Sequence, residues 1–113
     1  MKNLRNQVQL IGRLGADPEV KSLNSGTKVA HFSLATSDFY KDKEGNKVED
    51  TQWHRIVAWN GNATFSEKYL KKGMEIMISG KLVYGSFEDK SGVKRYTTDI
   101  VCHDILILSK KEA

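Results

Sequence analysis

Between Trp53 and Trp59 the chain reads Trp-His-Arg-Ile-Val-Ala-Trp, and the residues able to do chemistry fall on alternate positions. In an extended strand, side chains two apart share a face. Trp53, Arg55, Val57 and Trp59 then line one surface, while His54, Ile56 and Ala58 turn the other way. Two indoles flanking a guanidinium suit a flat, negatively charged partner, because aromatic faces stack on nucleobases and cations answer phosphates. Core packing is the competing use of large aromatics. It is the guanidinium between the two rings that turns the expectation towards an open surface. Tyr40, beside Lys41 and Lys43, and Phe87, in a stretch flanked by lysines, are expected to extend the same platform.

Catalysis finds no comparable support. His31, His54 and His103 lack the mutual spacing and the Cys or carboxylate neighbours of a metal site, so neither a metal nor another cofactor is expected. Asp17, Asp38 and Asp99 are scattered over turns and strand ends with no triad or carboxylate pair, which argues against a hydrolase or nuclease. Cys102 alternates with Ile100 and reads as buried packing. The expectation is a binding protein without enzymatic activity.

The elements that must hold these rings are short and mostly extended. Val8, Leu10, Gly12 and Leu14 share one parity; Ala30, Phe32, Leu34 and Thr36 share another; both stretches read as half-buried strands. Turn signals lie at Asn24-Ser25-Gly26, Glu44-Gly45-Asn46 and Lys90-Ser91-Gly92. The second falls in the charged segment from Lys41 to Asp50, expected as a long hairpin, and the third joins a strand ending near Phe87 to one starting near Arg95. The segment from Asn62 to Gly73 breaks the rhythm. Phe65, Tyr69 and Leu70 fit the inner face of a short amphipathic helix, with Asn62 as its cap and Lys71 and Lys72 at its negative end. Gly12, Gly80 and Gly85 inside strands fit the bends of a small barrel. The expected fold is all-β with one short helix: a five-stranded barrel with long hairpins, helix between the third and fourth strands, as in the OB-fold.

At 113 residues the chain is sized for one domain, placed at residues 1–108 with a short end at 109–113. A net charge of +4 permits an anionic partner, but 14 acidic residues mean that any cationic groove must come from local segregation. The single cysteine excludes an internal disulfide, and neither a membrane span nor a signal peptide is visible, so a cytoplasmic, nucleoid-associated protein is expected.

Five stretches together resemble the bacterial and organellar single-stranded DNA-binding proteins. They are residues 6–19 (Asn6 to Glu19, with Ile11-Gly12-Arg13-Leu14-Gly15), Phe32 to Ser37, Thr51 to Val57 with its Trp53-His54-Arg55 triplet, Tyr69 to Gly73, and Arg95 to Thr98. They occur in the family's order and span nearly the whole chain. The resemblance implies an OB-fold that assembles as a homotetramer and binds single-stranded DNA with little sequence preference, serving replication, recombination and repair. It puts stacking on Tyr40, Trp53, Trp59 and Phe87, and phosphate contacts on Lys21, Lys41, Lys43, Arg55, Lys71, Lys72 and Arg95. It also implies subunit contacts at the first strand, Val8 among it, and at His54. Two departures stand out. Val83, Tyr84, Gly85 and Ser86 are uncharged where the family carries basic residues, so fewer phosphate contacts are expected there. The sequence ends Lys110-Lys111-Glu112-Ala113, without the family's acidic tip, so tail-mediated protein partners are not expected. The alternative reading is an OB-fold accessory protein, of primosome type or an RNA-binding or protein-docking module.

Overall fold

The computed structural model describes residues 4–109. Alternation of apolar and polar side chains yields six strands: β1 (Val8–Leu14), β2 (Glu19–Ser22), β3 (Lys28–Lys41), β4 (Lys47–Trp59), β5 (Glu75–Glu88) and β6 (Lys94–Ile107), with α1 (Gly61–Tyr69) between β4 and β5. They form one sheet in the order β1-β5-β6-β4-β3-β2. A further pairing of Arg13 with Ala35 and Leu14 with Leu34 joins β1 to β3 and closes five strands into a barrel. The four-residue β2 lies outside it, paired only to β3. The expected OB-type barrel is thus present, with one extra strand.

The inward parity of each strand supplies the core. Leu34, Ile56, Ile76 and Ile78 are fully buried, joined by Phe32, Ala58, Ile100 and Cys102, and α1 adds Ala63. Closure of so small a barrel brings backbones into contact. Gly12 lies against the Ala35 carbonyl and Gly80 against the Val101 carbonyl, where a side chain has no room, and the ladder between β5 and β6 slips at Ser79 and Gly80.

Beyond the barrel, β3–β4 and β5–β6 continue as two long hairpin arms, and both tips use one device. Asp42 N–H donates to the Asn46 carbonyl (2.9 Å) and Gly45 N–H to the Asp42 carbonyl (3.1 Å); Asp89, Val93 and Gly92 repeat the pattern at 3.0 Å each. Gly45 and Gly92 take φ of 84° and 81°, the left-handed residue of a three-residue turn. Each aspartate accepts two further backbone N–H groups: Glu44 and Asn46 on Asp42, Ser91 and Val93 on Asp89.

The helix differs from the expectation. It ends at Tyr69, and the chain turns extended at Leu70 (φ −93°, ψ 135°), which drops Leu70 into the core and leaves Tyr69 55% exposed against Phe65, ring centroids 5.0 Å apart. Lys71 and Lys72 therefore follow the helix in a turn that includes Gly73 at φ 86°. Asn60, not Asn62, occupies the cap position, with no side-chain capping bond. The Asn62 amide instead donates to the Cys102 and His103 carbonyls (3.3 and 3.1 Å) and fastens α1 to β6. Cys102 is buried as expected; burial, then the charge of Asp104, pushes its thiol up to about 12.

Candidate nucleic-acid interface

Strand pairing decides which side chains share the barrel's outer surface. Trp53 lies opposite Ala35, Arg55 opposite Ser33 and Trp59 opposite Val29. Arg55 also registers with Asp99 of β6, and Lys21 with Val29. Along the second arm Val83 pairs with Asp99 and Phe87 with Arg95, so that outer side carries Phe87 as well. Trp53, Trp59 and Phe87 are 63%, 41% and 55% exposed. Val57, expected in the same open row, is buried at 6%. It lies between His31 of β3 and Val101 of β6.

Trp53 owes its posture to a glycine. A methyl group on Gly15 would come within 2.5 Å of Cζ3 of the indole, so one edge of the ring rests on bare backbone while most of it faces solvent. Beside it a groove of about 320 Å³ is lined by Lys21, His31 and Arg55 together with Asp17, Glu19 and Ser33. Two cations on this face are already paired. Arg55 Nε sits 3.3 Å from Asp99 Oδ1, and Arg95 Nε donates to Asp89 Oδ2 at 2.9 Å. Exposed pairs of this kind are worth roughly 0 to 1 kcal/mol, so an incoming phosphate exchanges one weak partner for another.

Other residues singled out from the sequence are placed elsewhere. Tyr40 is 56% exposed, but it pairs with Val48 and shares the parity of Thr36 and Gln52, the face of the arm opposite Trp53. Lys41 pairs with Lys47 near the end of the arm, and Lys43 is at its exposed tip. Lys71 and Lys72 line a separate cleft of about 980 Å³ with Arg13, Lys68, Tyr69 and Glu75. Arg13 Nη1 donates to the Gly73 carbonyl (3.0 Å) and Lys72 N–H to Asp17 Oδ1 (2.8 Å), which fixes the loop carrying both lysines. Arg13 carries no signal of this role in the sequence, because nothing local ties β1 to the end of α1. Val8 packs against the core, and the His54 ring is bonded through Nε2 to Thr36 Oγ1 (2.9 Å). An outward apolar row is formed by Ile11, Met77 and Leu106, which pair across β1, β5 and β6. Ile11 and Leu106 are exposed. The signal was present: Ile11 is the apolar residue on the otherwise polar parity of β1, between Gln9 and Arg13.

Among the described residues no group of three His, Cys, Asp or Glu side chains is arranged to hold a metal. Open rings, a groove with three basic side chains and a second cationic cleft on an OB-type barrel are what a flexible polyanion with unpaired bases requires. The profile of the Single-strand binding protein family matches residues 5–108. The chain belongs to that family. It is 49% identical over 109 residues to Single-stranded DNA-binding protein 1 of Chlorobaculum tepidum, a match covering 96% of this chain and 67% of the relative. To Single-stranded DNA-binding protein 1 of Xylella fastidiosa it is 45% identical, covering 95% of this chain and 79% of that one. Among solved structures, an SSB complex with ssDNA from Plasmodium falciparum superposes with a TM-score of 0.85 at 36% identity, covering 96% of this chain and 98% of that chain. A deletion mutant of the Thermus aquaticus single-stranded DNA binding protein gives 0.78 at 29% identity, over 92% of this chain and 50% of that one. Family membership thus agrees with the barrel.

Proposed function

We propose that this chain binds single-stranded DNA without sequence preference, stacking bases on Trp53, Trp59 and Phe87 and answering phosphates with Lys21, Arg55 and Arg95 around the row and with Lys71 and Lys72 in the second cleft. The observation that carries the reading is the exposure of Trp53 and Trp59 on the same outer face as Arg55. Every base has a π-face, so rings tolerate any sequence, whereas a duplex keeps its bases inside and cannot offer them. Stacking contributes roughly 1 to 3 kcal/mol per base, set against the cost of ordering a flexible strand. The mechanism contains no covalent step: the protein holds and covers the strand.

Assembly belongs to the same proposal. A homotetramer would join copies through the Ile11–Met77–Leu106 row, since contiguous apolar surface of this kind marks an interface. Linked binding faces then raise affinity through effective concentration. The roles that follow are protection of single strands in replication, recombination and repair, in the cytoplasm on nucleoid DNA. Titration with oligo-dT tests the reading directly. Intrinsic tryptophan emission should be strongly quenched; an unchanged spectrum at saturating oligonucleotide contradicts the site.

A further inference from the structure

The β3–β4 arm carries a ring outside the stacking row of Trp53, Trp59 and Phe87. Phe39 is 57% exposed and pairs with Glu49; the next pairs inward on the same face are Ser37 with Thr51, whose hydroxyls meet at 3.3 Å, and Ala35 with Trp53. Phe39 and Trp53 thus stand on one face, about 13 Å apart along the strand at its usual rise per residue. Lys47 lies on that face as well, its Nζ 4.3 Å from the Phe39 ring centroid. No hydroxyl or ring nitrogen gives Phe39 a polar reason to face water, and among the described residues it is not one of those packed against the core.

We propose that Phe39, steadied by Lys47, is a further base-stacking platform for single-stranded DNA, continuing the row from Trp53 out along the arm. It rests on the DNA-binding reading above. The ammonium over the ring holds the arm's charge beside the aromatic surface, where it can meet the phosphate of the nucleotide whose base stacks. Glu49, directly across from the ring, repels phosphate and leaves the base as the group that fits there. On this face Phe39, rather than its neighbour Tyr40, is placed to act together with Trp53.

The test uses the full chain and oligo-dT, followed by tryptophan emission and by light scattering. Phe39→Ala should weaken binding roughly 5-fold or more, leave the salt dependence unchanged, and cost more affinity than Tyr40→Ala. Phe39→Trp should restore affinity and add a quenchable emission. Lys47→Gln should lower the salt slope by less than one phosphate equivalent. Wild-type affinity in Phe39→Ala, while Trp53→Ala is weakened, would overturn the assignment. So would a change in particle mass on Phe39→Ala, which would make the ring a contact between copies. If the unsubstituted chain shows no quenching at all, the DNA reading itself fails, and the Phe39 assignment falls with it.

Discussion

On the proposed reading the outer row and the second cleft divide the work of holding a polyanion. Around Trp53 and Trp59 the surface is rich in rings, and its main cation, Arg55, is already paired with Asp99. The cleft of Arg13, Lys68, Lys71 and Lys72 has one exposed ring, Tyr69, and one carboxylate, Glu75. Its cations come from β1 and from the short stretch 68–72 at the end of α1, and the rings of the row come from β4 and the β5–β6 arm. On that reading the difference makes stacking and charge neutralisation separable here. The first should set affinity at any salt concentration, and the second should set how steeply affinity falls as salt rises.

The largest effect that would break this division is on the row. Trp53→Ala should weaken oligo-dT binding by roughly 1 to 3 kcal/mol with the salt slope intact and the melting temperature little changed; a collapse of stability in calorimetry would show the ring to be structural. Gly15→Ala should act in the same direction by a smaller amount, because the added methyl displaces the indole without removing it. Reduced quenching with folded circular dichroism is the expected record.

The cleft should answer differently. Replacing Lys71 and Lys72 together by Gln should lower the slope of log K against log salt by about 0.7 for each phosphate that is no longer neutralised, with quenching at saturation preserved. A steep fall in quenching there would mean that the two regions act as one. The smallest effect concerns the second arm. The Val93 N–H bond and then the Arg95 guanidinium hold the Asp89 carboxyl below its ordinary 3.8. Its folded value is depressed, so its support for the tip is present above pH 3.8 and is lost as pH falls through the lower folded value. The protection of the Ser91 and Val93 amides, referred to intrinsic exchange at each pH, should fall on acidification before the barrel opens.

Much of this is legible along the chain. The turn triplets at Gly26, Gly45 and Gly92, the alternating strands, the barrel glycines and the outward Trp53–Arg55–Trp59 pattern all depend on local chemistry. The face of Tyr40 is not the one expected, although a signal for it exists. With Gly45 as the left-handed residue of a three-residue turn, odd residues of β3 pair with odd residues of β4, which puts Phe39 and not Tyr40 with Trp53. A two-residue loop would reverse the assignment. The helix end departs from expectation for a different reason. Helical spacing fits both Tyr69 and Leu70, and only the demand of the core for Leu70 stops α1 one residue earlier.

By itself the sequence determined the strand parities, the turn types and the family, because each is written in neighbouring side chains and in the stereochemistry of glycine and asparagine. Tertiary structure alone decided that Val57 is buried, what Trp53 rests on, and which cations meet across β1 and the end of α1. Those outcomes depend on closure of the barrel, which brings together residues with no local means of signalling their proximity.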